Sequence, residues 1–163
     1  MIIPGSVAEA YEHQQAILED VSKFAGGWLR ELCQSSKWLY DERLKEPESA
    51  VAKLEAGGSS SLAEMDDLWA ATVIVPTLAE VPAATAGILA LFTGQQKPRR
   101  SWDARSFPYD DVHVIATLGS KVAPSVAGPE VRGRRFEVQV HTGLQYAWWR
   151  ATHATLYKGG TRE

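Results

Sequence analysis

The chain has 163 residues, 45% of them hydrophobic and 23% charged, and a formal net charge of -3. This composition excludes a disordered or fibrous chain and fits one compact domain with a sizeable core. The weak net charge excludes a global basic field, so a polyanionic ligand has to be met by a local cluster of Lys and Arg.

The only cysteine, Cys33, has no CxxC or Cys/His partner spacing, which leaves neither a disulfide framework nor a thiolate metal site and points to a reducing cytoplasm. The most apolar run, from Ala83 to Phe92, is far shorter than the ~20 residues of a membrane span. The first residues lack a basic region followed by an apolar one, so neither export nor insertion is expected.

In chain order, Ala10, Ile17, Val21, Phe24, Trp28 and Leu32 recur at helical steps and predict a long amphipathic helix over about 7–34, bent at Gly26-Gly27. Pro47 suits a first helical position, and a second helix is expected from there through Val51 and Leu54 to Gly57-Gly58. Residues 59–61 read as a turn. A buried strand around 72–75 is followed by a crossover helix over 78–92. Residues 93–108 show no clean period and are read as a functional loop bearing Lys97, Arg99, Arg100 and Arg105. Two strands, 111–118 and 135–142, are joined by a Gly/Pro/Ser-rich, hairpin-like loop, and an aromatic-rich helix over 143–157 follows. The expectation is a single α+β domain over 1–163, a short mixed β-sheet flanked by helices, a class that by itself decides no function.

Four groups of residues carry chemistry. Arg43, Lys45, Ser49 and Lys53 surround a helix start, and Ser49 and Lys53 share a face. Donors there can grip phosphate oxygens, because unpaired N–H groups and the helix dipole favour anions. A solvated helix face is the competing reading. Asp67 precedes a strand and Glu137 lies inside another, and two such carboxylates can converge on one magnesium. A turn or cap residue is the alternative for Asp67. Glu137, Gln139 and His141 alternate with apolar neighbours and point one way, to solvent or to a cleft. Tyr109 beside the basic loop can stack on a base while cations meet its phosphates, or be an ordinary loop aromatic.

Taken in order, Arg43-x-Lys45-x-Pro47-Glu48-Ser49-x-x-x-Lys53, Asp66-Asp67-Leu68, Tyr109-x-x-x-His113, Phe136-Glu137-Val138-Gln139-Val140-His141-Thr142 and Ala147-Trp148 with His153 and Tyr157-Lys158 resemble the successive motifs of RelA/SpoT synthetase domains. The set spans 43–158, and the long first helix suits the family. The resemblance is to the small stand-alone synthetases, since a hydrolase half has no room and no His-Asp dyad is present.

It implies a nucleotidyltransferase-like fold and transfer of pyrophosphate from ATP to the 3′-hydroxyl of GDP or GTP, giving a (p)ppGpp-type alarmone. It assigns ATP to Arg43, Lys45, Ser49 and Lys53, and Mg2+ to Asp67 and Glu137. The acceptor falls to Tyr109, His113, Arg99, Arg100, Arg105 and Gln139, while Trp148, His153 and Tyr157 support the closing helix. A homo-oligomer or an antitoxin stays open as a partner, and no membrane is expected. The chain departs from the family at Thr72 and His141, where arginines are usual, and at Asp110-Asp111, where Arg-Ser or Gln-Ser is usual. Those departures keep two alternatives in play: a toxin-like synthetase acting on adenosine nucleotides or the tRNA 3′ end, and a non-catalytic binding domain.

Overall fold

The computed structural model describes residues 5–97 and 112–158, and of residues 152–158 the backbone alone. Helix α1 (Gly5–Ser36) leads into β1 (Leu39–Leu44), α2 (Pro47–Glu55), β2 (Trp69–Val75), α3 (Val81–Leu91), β3 (Thr93–Gln96), β4 (Val112–Thr117), α4 (Pro129–Gly133), β5 (Phe136–Thr142) and α5 (Gly143–Lys158). The five strands form one mixed sheet in the order β1-β2-β5-β4-β3. β2 and β5 run parallel at its centre, and the other three pairs are antiparallel.

The alternation along β2, β4 and β5 sorts the sheet into two unlike faces. Ala71, Val73 and Val75, then Val112, Val114 and Ala116, then Phe136, Val138 and Val140 form one buried layer against Leu18, Val21, Ala25 and Leu29 of α1 and Ala84 and Ile88 of α3. Aromatic rings close its end. Phe136 meets Trp69 and Phe92 edge-on at centroid distances of 5.3 and 5.2 Å, and Phe92 stacks on Trp28 at 5.8 Å. Burying each large apolar side chain here contributes about 1.5–3 kcal/mol. This layer fixes the sheet, and the opposite face is left for polar residues.

Several expectations need correction. The stretch between the first two helices holds β1, whose inward residues are Tyr40, Glu42 and Leu44 rather than a run of aliphatics. Residues 93–96 form β3, not loop, with all four side chains exposed at the sheet edge. The link between β4 and β5 carries a 3-10 turn at Gly119–Lys121 and helix α4. The strand near 72–75 starts earlier, at Trp69. A 3-10 turn at Leu78–Glu80 precedes α3, which takes Pro82 in its first turn without a break.

Helix α1 runs uninterrupted through Gly26-Gly27. A Cβ on Gly26 would lie 2.9 Å from a Glu42 carboxylate oxygen and 3.1 Å from the Tyr40 hydroxyl, so the glycine serves a close helix–strand approach. There Glu42 accepts from Arg30 at 2.8 Å, Tyr40 at 2.7 Å and Ser22 at 3.2 Å. Helix α2 ends as expected, with Gly57 at φ +70 and the Gly58 amide donating to the Lys53 carbonyl at 2.9 Å.

Candidate functional site

Strand register lays the polar face out in rows. Arg43 lies opposite Ala70, Ala70 beside Glu137, and Glu137 opposite Ile115. The next row is Asp41, Thr72, Gln139 and His113, and beyond it Leu39, Ile74 and His141. Helix α5, leaving the end of β5, folds back over this face. Trp149 rests on the Arg43 guanidinium at 5.0 Å and lies 6.5 Å from the His141 ring. Tyr146 stacks on Trp149 and donates to the Asp41 carboxylate, which Arg150 approaches at 3.7 Å. Glu137, Gln139 and His141 are therefore buried, which excludes the solvent-facing reading.

Glu137 is 3% exposed and fully engaged. It accepts from Lys97 Nζ at 2.6 Å and Gln139 Nε2 at 2.6 Å, and His113 Nδ1 lies 3.2 Å away. Burial pushes the Glu137 carboxyl up, but His113, Lys97 and Gln139 together outweigh it and hold the group well below its ordinary 4.5. Gln139 continues the ladder by presenting its amide oxygen to His141 Nε2 at 3.2 Å.

A second carboxylate centre forms in the turn before β2. Asp67 meets Lys53 Nζ at 2.7 Å and Lys45 Nζ at 3.2 Å. Burial raises the Asp67 carboxyl and the two ammonium groups more than reverse that, leaving it below its ordinary 3.8. Lys45 is fixed by its backbone: its carbonyl accepts from Tyr11 of α1 at 2.6 Å, and its amide donates to Leu68 at 2.7 Å. Lys53 comes from α2, with Ser49 half-buried one turn before it.

Among the described residues, no group of three or more His, Cys, Asp or Glu side chains closes round a point as a metal cage. Magnesium is commonly held by one or two carboxylates plus substrate phosphates, and Asp67, beside Lys45 and Lys53, and Glu137, beside Lys97, are donors of that kind.

No protein-family model matches the chain, and no curated protein matches it by sequence. Solved structures do match in fold. Small alarmone synthetase 1 from Bacillus subtilis, bound to its product pppGpp, superposes with a TM-score of 0.62 at 17% identity, covering 93% of this chain and 80% of that one. Small alarmone synthetase 2 from the same organism gives 0.62 at 18% identity over 88% of this chain and 81% of that one. This chain has the fold of the small alarmone synthetases. The Type VI effector Tas1, in complex with its immunity protein, shares that fold at a lower TM-score of 0.52 and 17% identity, covering 87% of this chain and 64% of that one.

Within the alarmone-synthetase fold, the sequence-predicted residues gather at separate points. Lys45, Lys53 and Asp67 meet one another, and His113, Gln139 and Glu137 meet one another. Asp67 and Glu137, expected together, share no partner among the described residues. Arg43 stands apart from the lysines, over the ring of Trp149. Arg99, Arg100, Arg105 and Tyr109 lie outside the described residues, as do Asp110 and Asp111 and the side chains of His153 and Tyr157. Trp148 is 57% exposed, and its neighbour Trp149 packs against Arg43. Sequence reasoning placed Lys97 among the cations of a functional loop without linking it to Glu137, and gave no role to Asp41, Tyr146 or Trp149. The signal was present for α5, since Tyr146, Trp149 and Arg150 fall on one helical face. Lys97 stands forty residues from Glu137, and nothing local links them.

Proposed function

We propose that this chain is an ATP-dependent nucleotide pyrophosphokinase that transfers the β,γ-pyrophosphoryl group of ATP to the 3′-hydroxyl of GDP or GTP, giving a (p)ppGpp-type alarmone. The observation that carries the reading is Glu137. A carboxylate 3% exposed is kept ionised by Lys97, His113 and Gln139 on the same sheet face as Arg43, in the fold of an enzyme solved with pppGpp. Carboxyl groups shifted by burial together with specific charged partners cluster at functional sites.

In this reading ATP arrives by exchange of partners. Lys45 and Lys53 turn from Asp67 to phosphate oxygens, and Asp67 and Glu137 are the carboxylates that would hold magnesium as hard oxygen ligands. When bound, that ion supplies neutralisation of charge on the moving pyrophosphoryl group. Arg43, with Trp149 beneath it, presents a cationic surface to the donor nucleotide. The acceptor oxygen forms a bond to the β-phosphorus, the bond from that phosphorus to the oxygen bridging to the α-phosphate breaks, and AMP leaves. Glu137 is a poor base while Lys97 and His113 hold it. Movement of Lys97 onto an acceptor phosphate makes it a better one once the substrate is in place, and it then takes the hydroxyl proton. Catalysis rests mainly on alignment and charge, as phosphoryl transfer requires.

One observation favours a second acceptor. Thr72 sits beside Gln139 and His141 two residues further along β5, so the two positions where the family carries arginines lie on the site face itself. Fewer cations there, with Asp110 and Asp111 close to Tyr109 in sequence, disfavour GDP or GTP as the acceptor and favour an adenosine nucleotide or the tRNA 3′ end.

Incubation with γ-labelled ATP, magnesium and, separately, GDP, GTP, AMP, ADP, ATP and bulk tRNA decides among these readings. Label on GDP or GTP supports the alarmone reading, and label on AMP, ADP, ATP or tRNA supports the second. Label on none overturns both and leaves a non-catalytic nucleotide- or partner-binding domain.

A further inference from the structure

The turn that delivers Asp67 is held by two consecutive arginines from the approach to β5. Arg134 is 6% exposed and follows helix α4. Its Nη2 donates to the carbonyls of Leu62 at 3.0 Å and Met65 at 3.1 Å, and its Nη1 donates to the carbonyl of Ala63. Arg135 supplies the rest: its Nη2 donates to the Glu64 carbonyl at 3.0 Å and its Nε lies 2.9 Å from the Asp66 carboxylate. Five successive residues, 62–66, are thus gripped from one dipeptide. The turn's own backbone bonds are long, 3.3 Å from Met65 to Leu62 and 3.5 Å from Leu68 to Met65, so the arginines supply the polar hold beside the burial of Leu62, Met65 and Leu68 in the core.

A guanidinium is costly to bury, and burial pushes Arg134 down to about 10, still charged at neutral pH. That cost is offset because a planar fork of donors can satisfy several carbonyls at once, which an ammonium or an apolar side chain cannot. The placement is informative. The gripped segment stops at the residue before Asp67, and the gripping dipeptide stops two residues before Glu137.

We propose that Arg134 is a positioning residue that sets Asp67 in place relative to Glu137, tying the two carboxylate centres into one site across the β2–β5 pair. This rests on the pyrophosphokinase reading for its activity readout but not for its structural one. Arg135, half-exposed, is the lesser partner.

The test compares wild type with Arg134→Lys, which keeps the charge but not the fork, and with Arg134→Met. Melting temperature, deuterium uptake by segment and the magnesium dependence of turnover are followed together. In Arg134→Lys the fold persists, extra uptake is confined to residues 60–68, and the magnesium concentration for half-maximal turnover rises about 10–100-fold, as for other residues that orient metal ligands. Arg134→Met shows the same local pattern more strongly, or fails to fold, in which case the lysine variant decides alone. A folded Arg134→Lys with wild-type uptake at 60–68 overturns the proposal, as does wild-type magnesium dependence or a purely global loss of stability. A wild type that turns over no acceptor sinks the pyrophosphokinase reading instead, and local uptake then decides the clamp without it.

Discussion

Glu137→Gln is nearly isosteric and removes one charge from a site that is 3% exposed. The carboxylate accepts from Lys97 and Gln139, both at 2.6 Å, with His113 at 3.2 Å. An amide keeps one acceptor oxygen but turns an NH2 group toward donors, so at least one charge-assisted contact is lost, worth about 1.5–3 kcal/mol. Lys97 is 41% exposed and recovers hydration, and the mutant avoids burying an anion, so the net loss at neutral pH should be about 1–2 kcal/mol.

The sign follows from linkage. The Glu137 carboxyl is depressed below its ordinary 4.5 on folding, so its contribution is present above that value and fades as pH falls through it toward the lower folded value. Urea unfolding of both proteins at neutral pH and at several acid values measures the difference, which should narrow on acidification while turnover at neutral pH falls at least about a hundredfold. A mutant as stable as wild type at every pH would refute the claim that these neighbours hold Glu137 ionised. A stable mutant with normal turnover would remove it from the chemistry.

Phe136→Ala opens the aromatic junction between Trp69 and Phe92 and should cost about 3–5 kcal/mol, read as a lower denaturation midpoint with an unchanged slope; a loss under about 1 kcal/mol would contradict the packing described. Cys33 is buried and its thiol pushed up to about 11, so alkylation at pH 8 should proceed only as fast as the chain opens, and rapid modification of folded protein would count against it. Trp149→Ala removes the ring under Arg43, a contact worth ~0.5–1 kcal/mol, and should raise the KM for ATP about two- to fivefold with kcat little changed. An unaltered KM would separate Arg43 from the donor.

The legible parts of the fold were those whose pattern is local. β5 alternates cleanly, and its polar residues fall on one face, so both the strand and the grouping of those residues could be read. β1, Leu39-Tyr-Asp-Glu-Arg-Leu, places charge on both faces because Glu42 is satisfied by Arg30 and Ser22 of α1, partners that no window around the strand contains. β3 is an edge strand without one apolar side chain, so hydrophobic periodicity had nothing to register. For the site, residue types and order pointed to Asp67 and Glu137, but not to their neutralisation by different lysines. That depends on which side of the sheet each turn enters. The role of Arg134 was unreadable for the same reason, as its acceptors are backbone carbonyls about seventy residues away.

The strand order has a consequence for how the chain matures during synthesis. β5 is laid between β2 and β4, so until residues 136–142 are available the earlier strands form two separate ribbons, β1–β2 and β3–β4, each with an open inner edge. Parallel pairing of β2 with β5 closes a long loop and is intrinsically slow. Nascent chains should therefore remain inert and prone to edge-to-edge association until the last strand inserts, and one late event then completes the sheet and brings Glu137 to its partners.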